Sequence, residues 1–179
     1  MGIFKRIPDW KEIAPVYAVI VLMIYTWTIM WFFWKLPSWL FFMNAGEILL
    51  VFIYSVSTNF VESLIILCAP IFLCMVLPRQ WFHDVFVSRG TALVAAGLGY
   101  MMFLALQFQA KNDYPAIYLK AWSLALALLI LSFIVFLAGK ISIPRKALEA
   151  VADRATIFLY VTIPVSIISA IVVLFHSVV

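Results

Sequence analysis

The sequence predicts an all-α, polytopic transmembrane helix bundle, and three observations carry that prediction. Of 179 residues, 67% are hydrophobic and only 11% are charged. A soluble domain carries about 25% charged residues, so most of this surface is expected to face lipid. Mean hydropathy is +1.15, and the apolar residues gather in runs long enough to cross a ~30 Å hydrocarbon core. The basic residues collect in the short segments between those runs. Connections of this length leave no room for an extramembrane domain, so the chain reads as one membrane-embedded unit without repeats or linkers.

Five spans are expected, over about 13–34, 59–77, 91–109, 116–139 and 155–177, with a short helix at 44–58 that is re-entrant or interfacial. The first span follows Lys5, Arg6 and Lys11. It is too long for a signal h-region and no A-x-A site follows it, so it reads as an uncleaved span. Gly2 follows Met1, but Arg6 stands where a myristoylation signal wants Ser or Thr. Trp27, Trp31 and Trp34 form an aromatic face near the far end of the span, and Lys35 and Pro37 are expected to end it.

The stretch from Asn44 to Pro78 is too long for one untilted crossing and short for two. Asn44 with Glu47, and Asn59 with Glu62, both carry the spacing of a helix N-cap followed by Glu at N3. Two such starts predict two helices joined near Ser57-Thr58-Asn59. The first would cover roughly 21 Å at 1.5 Å per residue, short of a full crossing. Pro70 is expected to bend the second.

Positive charge decides between topologies. With five spans, Lys5, Arg6, Lys11, Arg79, Arg89, Lys140, Arg145, Lys146 and Arg154 share one side, and Lys35, Lys111 and Lys120 the other, nine against three. The alternative of six spans gives seven against five. The positive-inside bias favours five, with the N-terminus cytoplasmic and the C-terminus outside. Tryptophans agree: Trp10 and Trp81 fall inside, and Trp34, Trp39 and Trp122 outside. The cytoplasmic membrane is the expected location.

Small residues four apart mark close-packing faces: Ala92 with Ala96, Ala95 with Gly99, and Ala121 with Ala125. They point to a homo-oligomer or a larger membrane complex. Residues 141–154 read as a basic amphipathic connector on the cytoplasmic surface. There Arg145, Lys146 and Arg154 would meet anionic lipid, and Leu148 and Val151 would face the bilayer. Pro164 is expected to kink the last span. Cys68 and Cys74 project from opposite sides of a helix, so no disulfide joins them.

Function is carried by whatever polar groups lie at membrane depth, because burying them is costly unless they are paired, hydrated or protonated. On a continuous helix Glu47, Tyr54, Thr58 and Glu62 share an arc of about 80° at 100° per residue. Asn59 and Lys120 complete the polar candidates. Either this stripe is a path for protons, an ion or a lipid head group, or the glutamates only cap helices. The charge of +4 is too small and scattered for nucleic acid binding. His83-Asp84 reads as a solvated loop, since adjacent helical residues do not face each other. His176 has no second histidine at membrane depth, which argues against a haem held by two. Zinc spacing, a phosphate loop and a nucleophile elbow are absent, so no metal, cofactor or catalytic residue is expected. The leading expectation is a non-enzymatic accessory or assembly subunit. A small channel or transporter using the Glu47–Glu62 face comes second, and a lipid-modifying membrane enzyme third.

Overall fold

The structure, a computed structural model, describes residues 8–111 and 120–178. Lys5, Arg6, the Gly2 position, residues 112–115 between the third and fourth expected spans, and the expected start of the fourth span at Ala116 lie outside the described residues. The described chain forms α1 (Trp10–Trp39), α2 (Ala45–Val76), a single-turn α3 (Arg79–Phe82) running into a 3-10 turn (His83–Val85), α4 (Phe86–Lys111), α5 (Ala121–Lys140) and α6 (Ser142–Val178). Five of these helices are long and apolar enough to cross a membrane.

Helix α1 is the hub. Every residue from Pro15 to Val21 is buried, which marks a helix that is apolar all round and surrounded by others. It packs against α2, α4 and α6, while α5 lies outside this group and touches α4 and α6. The gradient is steep: 56% of the most apolar stretch of α1 is buried, against 6% for α5. Consecutive spanning helices run in alternating directions. Gly90 of α4 meets Val16 of α1 and Pro70 of α2 near one end, where Ser88 also bonds the Ala138 carbonyl. At the other end Tyr54 of α2 meets His176 of α6.

Three expected boundaries are corrected. The joint at Ser57-Thr58-Asn59 is absent, and residues 44–58 are no separate helix, because α2 runs unbroken through 32 residues. A break inside hydrocarbon would strand up to four N–H and four C=O groups on either side. A cap returns only about 1 kcal/mol, so continuity wins. Thr58 bonds the Tyr54 carbonyl within its own helix at 3.0 Å.

Residues 141–154 are not a separate connector either. Only Ile141 separates α5 from α6, and α6 then continues past Arg154 without interruption. Leu148, Ala152, Ala155 and Leu159 recur at helical spacing, and the last three are buried in the core with Ile13 and Val16. Close packing of that stripe, two of its four residues being alanine, holds the segment against α1. Finally, α1 does not stop at Lys35 or Pro37 but ends at Trp39 with Pro37 inside it. At about 45 Å for its 30 residues it outreaches the hydrocarbon core. The carbonyl that Pro37 deprives of a donor therefore lies at an end, where the loss is cheap.

The small-residue faces part company. Ala92 is buried, Ala95, Ala96 and Gly99 are half-buried, and Ala121 and Ala125 are exposed. A Cβ on Gly99 would meet nothing within 4 Å, whereas one on Gly90 would lie 3.2 Å from Val16. Gly90→Leu is therefore expected to cost about 1–3 kcal/mol by overpacking the junction of α1, α2 and α4. Gly99→Leu should be neutral, or stabilising by up to about 1 kcal/mol from helix propensity. Thermal unfolding in detergent checks the order, and a larger loss at Gly99 would contradict it.

Candidate functional site

Continuity of α2 decides where its polar residues point. Tyr54, Thr58 and Glu62 recur every fourth residue and all three are exposed, so they form one outward stripe. The residues beside them turn inward: Asn59 is 5% exposed and Ser63 is fully buried. One helix thus carries an internal polar seam and an external one.

The internal seam is closed by α1. The Thr28 hydroxyl donates to Asn59 Oδ1 at 3.0 Å, so Asn59 serves a neighbouring helix and not a cap. The Tyr17 and Ser63 hydroxyls lie 3.1 Å apart, and Ser63 also donates to the Phe60 carbonyl at 2.7 Å. Tyr25 bonds the Ser166 hydroxyl of α6 and reaches the Val56 carbonyl of α2 at 3.5 Å. Ser166 in turn donates to the Thr162 carbonyl. Tyr17 lies about two turns before Tyr25, with Thr28 about one turn further on, and each clasps a polar partner on another helix.

An open groove of about 600 Å³ runs beside these clasps, lined by Thr28, Leu50, Val51, Tyr54, Ser55, Thr58 and Asn59. It adjoins a second of about 470 Å³ lined in part by Trp27, Trp31, Lys35, Trp39 and Ser55. The tryptophans pack edge to face along this wall, with Trp27–Trp31 centroids 5.7 Å apart. Most groove hydroxyls are already satisfied: Ser55 bonds the Val51 carbonyl at 2.8 Å, as Thr58 bonds that of Tyr54. Tyr54 bonds His176 Nδ1 at 3.1 Å.

The two glutamates differ sharply. Glu47 completes a capping box with Asn44, its Oε2 accepting from the Asn44 N–H at 2.8 Å while Asn44 Oδ1 accepts from the Glu47 N–H at 2.9 Å. It is a helix-end group. Glu62 caps nothing. It sits near the midpoint of α2, 17 residues from Ala45 and 14 from Val76, and no hydrogen bond or ion pair reaches it among the described residues. Lys120 is the exposed N-cap of α5 and lines neither groove. Among the described residues no three His, Cys, Asp or Glu side chains come together as a metal site would need.

The polar partners that α1 contributes, Tyr17, Tyr25 and Thr28, were not singled out in the sequence. Their signal was available, since each is a hydroxyl inside an otherwise apolar span. No protein-family model, curated protein or solved structure matches the chain, so its own geometry carries the functional reading.

Thr28→Val removes the donor that satisfies Asn59. It is expected to lower stability by about 0.6–1.7 kcal/mol, the range of interhelical hydrogen bonds in membranes. Thr58→Val touches only a bond within α2 and should stay within about 0.5 kcal/mol. Equal losses in the two variants, measured by thermal unfolding in one detergent, would contradict the assignment of Asn59 to α1.

Proposed function

We propose that this chain is a non-enzymatic accessory or assembly subunit of the cytoplasmic membrane, held in an oligomer or a larger membrane complex through the outward face of α2. The observation that carries the reading is Glu62. A carboxylate at the centre of a bilayer is expensive unless it is paired or hydrated, and this one stands exposed on the apolar surface of a helix about 48 Å long for its 32 residues. Its neighbours on the stripe, Tyr54 and Thr58, already have hydrogen-bond partners. The unanswered requirement is therefore a donor for Glu62, supplied by another chain or by a second copy. Orientation follows the charge bias, with the N-terminus cytoplasmic.

A transport reading rests on the groove between α1 and α2, whose lining includes Tyr54, Ser55, Thr58 and Asn59. It is the weaker of the two, because neither Glu47 nor Glu62 lines that groove and each of its hydroxyls already has a partner, Asn59 for Thr28, His176 for Tyr54 and backbone carbonyls for Ser55 and Thr58.

The test is the composition of the particle extracted from its own membrane in mild detergent. Wild type is expected as a particle containing more than one 20.4 kDa chain or a second protein. Glu62→Leu should weaken that association by tenfold or more, on the order expected when a buried, bonded charge is truncated. Glu62→Gln, which keeps an acceptor, should weaken it less. A monomer free of other chains, unchanged in both variants, would overturn the proposal. Ion flux in wild-type liposomes that Tyr54→Phe and Thr58→Val abolish would favour the groove instead.

A further inference from the structure

A further concavity lies where α5 turns into α6. It is about 280 Å³ in volume and is lined by Gly139, Lys140, Ser142, Arg145, Lys146 and Glu149. Because Ile141 alone joins the helices, the last turn of α5 and the first turn of α6 face one space. Arg89 of α4 enters the same wall. Its guanidinium occupies the room that Gly139 leaves by having no side chain: a Cβ there would fall 2.6 Å from Cζ and 2.7 Å from Nη2. Its Nε is buried and has no hydrogen-bond partner among the described residues.

The charge balance is one-sided. Lys140, Arg145 and Lys146 line the space with one carboxylate, Glu149, and Arg89 stands behind Gly139, so four positive charges gather around one negative and three remain. Arg145 Nε holds Glu149 Oε1 at 2.9 Å and the Lys140 ammonium lies 5.4 Å from the Phe136 ring centroid, so among the described residues no carboxylate pairs with Arg89, Lys140 or Lys146. The start of α6 adds partial positive charge and the Ser142 hydroxyl. Lys140 from α5 and Arg145 and Lys146 from α6, backed by Arg89 of α4, suit a group with several acceptor oxygens and more than one lone pair to share, as a phosphate has. Arg154, nine residues beyond Arg145, falls on the opposite side of α6 and does not line the space.

We propose that this pocket is a binding site for a phosphate group. Two sources share that chemistry, the head group of an acidic phospholipid and a soluble phosphate. The volume accommodates a glycerophosphate head, and the largely exposed, apolar α5 offers a surface along which acyl chains can lie.

The test uses the full-length protein in neutral detergent, titrated with phosphatidylglycerol, with phosphatidylcholine and with inorganic phosphate, and read by native mass spectrometry and thermal shift. Phosphatidylglycerol or inorganic phosphate is expected to bind at least about tenfold tighter than phosphatidylcholine. Lys146→Gln should cut that binding about fivefold, as one basic contact near the surface is worth. Gly139→Ala should do the same by displacing the Arg89 guanidinium without changing charge. Arg154→Gln should leave binding unchanged. If inorganic phosphate competes at millimolar concentration the natural ligand is soluble, and if only the lipid binds it is a head group. Equal binding of both lipids with none of phosphate would overturn the proposal. So would an Arg154→Gln loss as large as that of Lys146→Gln, which would mean diffuse charge and not a site. Lys146 is exposed, so its variant keeps the test decisive if Gly139→Ala fails to fold.

Discussion

Inside hydrocarbon every polar group must be answered by the protein itself, and that requirement organises this molecule. A backbone amide left open there costs several kcal/mol, more than any local capping preference returns. It keeps α2 whole through Asn59 and α6 whole through its apolar stretch beyond Arg154. It also explains the hydroxyls. Ser55, Thr58, Ser132 and Thr162 each bond a carbonyl four residues back, and so cost little where they stand.

The same requirement turns α1 into the centre of the bundle. Burial of apolar side chains cannot by itself draw helices together in lipid, because acyl chains are equally apolar. Close packing and hydrogen bonds remain. At Gly90 the missing side chain lets Val16 and Pro70 approach. Tyr17, Tyr25 and Thr28 add clasps to α2 and α6 at separate levels. By contrast α5, which buries only Ala138, is fixed chiefly where Ser88 bonds the Ala138 carbonyl at 2.7 Å. That contact also holds together the walls of the basic pocket. Among the described residues Glu62 is where that requirement goes unanswered, on the outward face of α2.

Legibility in the sequence followed the range of the interaction. Five crossings were readable because hydropathy and basic residues act over whole segments. The Asn44–Glu47 box was readable because both partners lie within one turn. The identical spacing at Asn59 and Glu62 misled, since what decides Asn59 is Thr28, 31 residues away. The error propagated: a break at Thr58 would have scattered the stripe that the continuous helix assembles. Likewise the basic residues at 145 and 146 were visible, but nothing local joined them to Arg89, 56 residues before Arg145. Ala152 and Ala155 were hidden by the charges around them, although their spacing with Leu148 and Leu159 was present.

The central claim is that α2 crosses as one helix with Glu62 near its middle. A depth profile tests it most directly: nitroxide labels placed singly at Gly46, Ile53, Ser57, Val61, Ile65 and Val76, compared for access to oxygen and to a water-soluble nickel complex. The account predicts shallow positions at Gly46 and Val76 and a single depth maximum near Val61. A return to the aqueous interface around Ser57 would contradict it, because only a re-entrant segment with a joint there produces two separate maxima.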